Sequence, residues 1–276
     1  MTDQPDLHTL LAARYDDPPP LPGTQPGAWR AMAARGSCRT FAAEPVPDAL
    51  LDTLCALALA SPTKSDLQQR DIVLVTEPEA RTALADLVAG QPWVAGAPVL
   101  AVFCGNNRRQ RLLHDWHDVP FANDHFDAPF NAAVDAGIAL AAFVTAAEAA
   151  GLGCCPVSAV RNEAAAVSDL LGLPDHVFPV AGLALGWPAA PPEIAMRLPL
   201  RATVHRNRYA ERDLRADVAA YDAARASRQP YRTQRFAESF GESPGYGWSE
   251  DKVRQYSRPE RADFGAFLRA KGFRFD

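Results

Sequence analysis

The sequence has 276 residues, 48% of them apolar and 22% charged, with a formal net charge of -5. That length permits one large domain or two small ones around a substantial core, and the acidic balance argues against bulk nucleic-acid binding. No apolar run is both long and free of polar residues, and Met1-Thr2-Asp3-Gln4 lacks the pattern of a signal peptide, so a cytoplasmic protein without membrane or nucleic-acid partners is expected.

Residues 1–29 hold a small apolar helix around Leu7, Leu10 and Leu11. The run Asp17-Pro18-Pro19-Pro20-Leu21-Pro22-Gly23 follows, which suits neither a helix interior nor a central strand and reads as a surface arm. Next comes Arg35-Gly36-Ser37-Cys38-Arg39-Thr40-Phe41. Two guanidinium groups four positions apart with a serine between them can form a compact anion receptor. The alternative is a pair of solvated arginines in the first turn of a helix, where they oppose the helix dipole.

Val46-Pro47-Asp48 starts a helix whose Leu50, Leu51, Leu54, Leu57 and Ala58 share a face, ending near Ser61-Pro62. The loop Thr63-Lys64-Ser65-Asp66-Leu67-Gln68-Gln69 is dense in hydrogen-bonding side chains and leads into a strand, Ile72–Val75, apolar enough to be covered on both faces. Thr76-Glu77-Pro78-Glu79 reads as a capping box for a helix running to about Ala89. After the turn Gly90-Gln91-Pro92-Trp93, a second strand spans 98–103. Residues 108–130 gather His114, His117, Asp118, His125 and Asp127 among aromatics without metal-site spacing, which suggests an irregular, solvated or substrate-facing flap rather than a metal site.

Residues 131–150 form the most apolar helix, fit for the centre of a large domain or for contact with a second subunit. Gly151-Leu152-Gly153 breaks it, and Cys154–Val160 is extended. Asn162 is expected to cap a helix closed by Gly172, and a strand covers 177–185 despite Pro179 and Gly182. Five cysteines without CxxC or Cys/His ligand spacing fit a reducing compartment rather than a disulfide scaffold. Beyond Leu200, Arg201, His205, Arg206, Arg208, Arg212 and Arg215 make a basic field, either a solvated surface or a site for a phosphorylated ligand. A helix around 214–226, a glycine-rich turn at 241–247 and a last helix near 258–271 complete the chain. The changes in composition suggest an N-terminal arm (1–29), a core (30–199) and a C-terminal extension (200–276).

No GxGxxG follows a strand, and GxxxxGK[ST] does not occur. Arg35, Arg39, Arg197, two polar loops and a segment of small residues remain, a set that fits a phosphorylated cofactor whose ring system does the chemistry. In that context the chain resembles the nitroreductase and flavin reductase family, specifically its NADPH-dependent, oxygen-insensitive nitroreductases that carry FMN. Ser37-Cys38-Arg39-Thr40-Phe41 resembles the family's opening phosphate-binding motif, and Thr63 to Gln68 its serine-rich loop beside the flavin ring. Gly90-Gln91 resembles the Gly-Gln whose amide reaches the ring or ribityl chain. Gly151-Leu152-Gly153, Gly186-Trp187-Pro188 and Arg197-Leu198-Pro199 follow in the family's order, and His205 to Tyr209 resembles the start of an excursion around a partner subunit.

The resemblance implies an α+β fold, a central mixed but mostly antiparallel sheet flanked by helices in an intertwined homodimer. It implies FMN held by Arg35, Ser37, Arg39, Thr63, Ser65, Gln68, Gln91, Pro156, Val157, Ser158, Ala159 and Arg197. NADPH would be the co-substrate, its extra phosphate met by Arg206, Arg208 or Arg212. The implied activity is ping-pong: hydride passes from NADPH to the flavin, then two electrons go to a nitroaromatic, quinone or similar small acceptor, with no side chain needed as acid or base. The alternatives are a flavin reductase acting on free FMN or FAD, and a flavin-binding protein of low turnover. Four positions depart from relatives: Ser158-Ala159 stands where Gly-Gly is usual, Pro156 replaces a tyrosine, and Ala195 replaces a lysine near the flavin, a loss that Lys64 could offset.

Overall fold

The computed structural model describes residues 5–23, 26–88 and 90–276. Helices α1 (Leu7–Arg14), α2 (Gly27–Ala34) and α3 (Asp48–Leu59) precede β1 (Arg70–Val75), α4 (Pro78–Leu87) and β2 (Val99–Asn106). Then come α5 (Arg108–Trp116), α6 (Asp127–Ala149), β3 (Gly153–Val157), α7 (Ala164–Leu170) and β4 (Val177–Gly186). The remainder is helical: α8 (Leu200–Thr203), α9 (Leu214–Arg228), α10 (Ala237–Phe240), α11 (Trp248–Tyr256) and α12 (Phe264–Ala270). Two compact units divide the chain, the first of residues 1–36 and 193–260, the second of 37–192 and 261–276.

The second unit is α+β. Its four strands run in the order β1-β2-β4-β3, and every described pairing is antiparallel, within the expected mostly antiparallel character. Central β2 is buried at all eight positions, whereas β1 at one edge is largely half-buried although both its faces are covered. Ile72 and Leu74 pack with α3 and α6 against Phe103 and Phe143, and Val73 and Val75 pack with Leu84 and Val167 on the opposite side. Pro179 is tolerated in β4 because the ladder shifts register there, opposite Phe103 and Cys104. Gly153 is required by close approach: a Cβ there would lie 2.5 Å from Cys38 Sγ, where the Cys38 N–H donates to the Cys154 carbonyl.

The C-terminal residues 261–276 complete this unit. Phe264, Leu268 and Phe273 pack on Phe178 and Ala132, and the Lys271 ammonium donates to the Leu173 carbonyl at 2.6 Å. The first unit holds the arm and residues 193–260. In α1, Asp6 caps by accepting the Thr9 N–H at 2.7 Å, and in α9, Asp213 accepts from Ala216 at 3.0 Å.

Several local expectations are corrected. The residues 35–39 do not open a helix: Arg35 is the C-cap of α2 and the chain then runs extended, so its charge favours rather than opposes the adjacent dipole. Thr76 does not cap α4; Pro78 takes the first helical position, which makes Glu77 the N-cap, without a side-chain bond. The expected helix end at Ala89 lies outside the described residues. Glu163 rather than Asn162 precedes α7, and the Asn162 side chain accepts from Arg261 instead. The segment 108–130 is not uniformly irregular, because Arg108–Trp116 forms α5. The last helix expected near 258–271 is α12, shorter at Phe264–Ala270, and α11 (Trp248–Tyr256) before it was not foreseen.

Helix α6 is long and apolar enough, by length and composition, to cross a membrane. One of its faces is core, with Ala132, Ala136, Ala139, Phe143 and Ala147 fully buried. It is not buried all round, since Phe130 and Val134 are 53% and 44% exposed.

Candidate functional site

The loop between α3 and β1 is held by side chains of α5 and α6. Ser65, Asp66 and Gln68 have φ of 50°, 55° and 51°, a left-handed conformation that non-glycine residues hold only when their surroundings impose it. Fully buried Asp135 of α6 imposes it from beneath: one carboxylate oxygen accepts the Lys64 N–H at 3.1 Å and the other the Gln69 N–H at 3.0 Å. From α5, Arg109 donates to the Gln68 carbonyl at 2.7 Å and to Asp71 at 2.6 Å, and Gln110 donates to the Leu67 carbonyl. Asn107 donates to the Gln69 side chain at 2.9 Å. The result is a fixed loop with Ser65 and Gln68 exposed and Thr63 half-buried, its hydroxyl accepting the Gln68 N–H at 3.2 Å. Lys64 reaches Asp127 at 3.8 Å.

Behind the loop, buried Arg70 donates to the Leu59 and Ser61 carbonyls at 2.7 and 2.9 Å. Its Nε and Nη1, with Gln69 Nε2 and Gln110 Oε1, have no partner among the described residues.

A second group joins two predicted ligands through a residue that sequence reading passed over. The exposed Arg39 guanidinium lies 5.6 Å from the centroid of Trp93, and the Trp93 indole N–H donates to Gln91 Oε1 at 2.8 Å. Indole nitrogen can only donate, so this bond fixes the orientation of the Gln91 amide and turns its NH₂ outward as a donor. A cation and an oriented amide donor therefore stand together.

At the opposite edge of the sheet, β3 ends in the predicted flavin-edge segment. Pro156 is exposed and costs no ladder partner at an edge. Val157 and Ala159 bury their side chains in the core, leaving only backbone for a ligand, while Ser158 is exposed. Residues 158–161 form a 3₁₀ turn, whose first N–H groups lack acceptors within the turn. Burial pushes the neighbouring Cys104 thiol up to about 12, which removes it from thiolate chemistry.

In the first unit, Arg35 and Arg197 line the same cavity. Arg197 is exposed, its guanidinium bonded to the Ala195 and Met196 carbonyls at 3.3 and 3.0 Å. Of the three arginines expected to meet NADPH, Arg206 and Arg212 line a cavity of about 330 Å³ with Arg201 and His205; Arg208 is not part of that lining. His205 is fixed by its contact with the Ala210 carbonyl and by packing on Tyr209, and Arg201 pairs with Asp217 at 2.6 Å. Among the described residues no group of three or more His, Cys, Asp or Glu side chains could hold a metal ion. Half-buried Ser37 lies between the two units' arginines in sequence, on the second-unit side of the boundary.

Asp135, Trp93 and Arg109 escaped the sequence reading. Only Asp135 left a signal there, as the acid in the middle of the most apolar helix.

Comparison with known proteins adds an independent observation. The family model "Nitroreductase family" matches residues 32–187, and "Nitroreductase family, C-terminal domain" matches residues 196–276. An FMN reductase [NAD(P)H] of Bacillus subtilis is 32% identical over 90% of this chain and 98% of its own length. An oxygen-insensitive NADPH nitroreductase of Salmonella typhimurium is 36% identical over 69% of this chain and 78% of its own. The solved structure of B. megaterium NfrA2 covers 91% of this chain and all of its own with a TM-score of 0.83 and 31% identity.

Proposed function

This chain belongs to the nitroreductase family, and on that premise we propose that it is an FMN-dependent oxidoreductase that oxidises NADPH and reduces nitroaromatics, quinones or similar small acceptors by a ping-pong cycle. The group Arg39–Trp93–Gln91 is the observation that carries the reading, because it sets a guanidinium for a phosphate beside an amide donor turned outward.

The donors in the second unit fit FMN: Ser37 and Arg39 are of the types that hold a phosphate monoester, and Thr63, Ser65, Gln68 and Gln91 supply hydroxyls and amides for the ribityl chain and the ring. In the first unit, Arg35 and Arg197 are likewise of a type that meets phosphate. Backbone at Pro156, Val157, Ser158 and Ala159 supplies the flat, small-residue edge. FMN, when bound, supplies the hydride acceptor and the two-electron donor in turn. The protein's share is to bind, orient and stabilise negative charge, through the Gln91 amide, the Gln68 side chain and the N–H groups opening the 158–161 turn. We assign no side chain as acid or base.

Arg206 and Arg212, with Arg201 and His205 in the same cavity, support a preference for the 2′-phosphorylated dinucleotide. The exposed apolar stripe of Phe130 and Val134 on α6 supports a homodimer. We place the enzyme in the cytoplasm, without membrane or nucleic-acid partners.

An absorbance spectrum of the purified protein followed by anaerobic titration with NADPH tests the reading. A flavin band bleached by one equivalent of NADPH per subunit is expected; a colourless protein that does not take up FMN rejects it. Turnover with added FMN against turnover with nitroaromatics separates a nitroreductase from a flavin reductase.

A further inference from the structure

Residues 5–23 and 26–31 lie outside both family-model matches, yet one of them, Arg14 at the end of α1, is buried and bonded to two distant stretches of the first unit. Its Nε donates to the Ala33 carbonyl at 2.9 Å and its Nη2 to that of Arg35, both at the C-terminal end of α2. Its Nη1 donates to the Ala195 carbonyl at 3.3 Å, and its own carbonyl accepts the Arg197 N–H at 2.8 Å.

No helix or strand shapes residues 191–199. Side chains do so instead. Gln229, just past α9, donates to the Ile194 carbonyl at 2.7 Å and accepts the Met196 N–H at 3.1 Å, and the Tyr221 hydroxyl donates to the Met196 carbonyl at 3.2 Å. With the two bonds to Arg14, the carbonyls of Ile194, Ala195 and Met196 and the N–H groups of Met196 and Arg197 all have partners. An irregular backbone held at so many points can fix the direction of a side chain it carries. Arg228 of α9 in turn ties the end of α1 down, through Asp16 at 2.7 Å and the Ala12 carbonyl at 2.8 Å.

The Arg197 side chain continues the pattern. Its Nη1 is taken up by the Ala195 and Met196 carbonyls, the first of them shared with Arg14. Its Nε and Nη2 make no hydrogen bond among the described residues, and these form the planar edge with which a guanidinium grips a phosphate at two points. Arg197 is exposed and lines cavities of about 570 and 310 Å³, so a ligand can reach it. We propose that Arg14 is a positioning residue, through which the N-terminal arm presets Arg197 as a phosphate fork. This rests on the reading of Arg197 as a phosphate ligand given above; the FMN phosphate and the 2′-phosphate of NADPH are the two sources of that chemistry.

The test compares ligands that differ only by the phosphate. Full-length protein freed of flavin is titrated with FMN and with riboflavin by flavin fluorescence, and kcat/KM for NADPH and NADH is measured on the FMN-loaded enzyme. Arg14→Met is expected to raise the FMN Kd about fivefold or more and to leave the riboflavin Kd within about twofold. Arg197→Ala is expected to raise the FMN Kd about tenfold or more. The double variant should match Arg197→Ala within about twofold, because Arg14 acts through Arg197. Arg228→Ala, at an exposed residue, loosens the arm without opening a buried site and is expected to show the same phosphate-specific loss at smaller size. A falling NADPH-to-NADH ratio with FMN binding unmoved supports the fork and assigns it to the dinucleotide. Equal weakening of FMN and riboflavin, additive losses in the double variant, or no loss in either ligand pair overturns the proposal and leaves the flavoprotein reading standing. A wild-type protein that binds neither flavin rejects that reading, and this inference with it.

Discussion

Asp135 accepts the Gln69 backbone N–H at 3.0 Å from the middle of α6, and so fixes a loop 66 positions earlier in the chain. The second carboxylate oxygen does the same for Lys64. A buried charge satisfied by two main-chain donors holds the left-handed turn at Ser65, Asp66 and Gln68 more firmly than loop propensity could. Asp135→Asn presents an NH₂ to one of those donors. A loss of about 2–3 kcal/mol in stability is expected, with faster FMN release, because a donor faces a donor in a dry site. Thermal melts and flavin off-rates check it; an unchanged off-rate would separate the loop from the cofactor.

Arg39 gives the next expectation. Its guanidinium is exposed and stacked near Trp93, so it is ordered without being consumed. Arg39→Ala is expected to raise the FMN Kd tenfold to a hundredfold, roughly 1.4–2.7 kcal/mol, with little change in melting temperature of the flavin-free protein. Arg39→Lys should recover only part of the loss, since lysine keeps the charge but not the planar fork. Purified Arg39→Ala carrying undiminished flavin would reject the phosphate role.

Acid sensitivity has a definite source in the second unit. The hydrogen bond from Arg111 at 2.5 Å holds the Asp124 carboxyl below its ordinary value of 3.8, with Arg274 adding a weaker attraction. The folded state then binds this proton less readily than the unfolded state. The stabilisation is complete above about pH 3.8 and is lost as pH falls through the lowered folded value. Urea midpoints of wild type and Asp124→Asn should converge at the acid end and diverge towards neutrality. A constant gap across the range would mean that the pair contributes no linkage.

Much of the core was legible because local patterns and tertiary demands agree there. Leu51, Leu54 and Ala58 of α3 and the unbroken run of β2 lie where their periodicity puts them. The capping errors at Thr76 and Asn162 arose because two plausible caps compete within a residue or two, and the fixed φ of Pro78 and the Arg261–Asn162 contact decide between them. The identity of the candidate ligands was legible through family order, but their support was not. Trp93 orients Gln91 and Arg109 holds Gln68 through contacts that no local pattern announces. Asp135 was the exception, an acid that an apolar helix has no reason to bury unless something pairs with it.

Helix α6, apolar enough for a domain centre or a subunit contact, is buried along one face within this chain. Its core face is satisfied within the chain, but Phe130 and Val134, four residues apart, remain exposed on the same side of the helix. Two large apolar side chains stacked on the exposed face of this helix, which continues through Gly137 and Ala141, are what an isologous subunit contact would cover. Phe130→Glu with Val134→Glu puts two carboxylates into that contact without disturbing Ala132, Ala136 or Ala139 beneath. The dimer dissociation constant is expected to rise at least a hundredfold, about 2.7 kcal/mol, and bound FMN to fall in parallel. Sedimentation velocity across a dilution series measures the first, and the ratio of flavin to protein absorbance the second. A variant that remains dimeric and keeps its flavin would move the interface elsewhere; a monomeric wild type still holding FMN would remove the dimer from the mechanism.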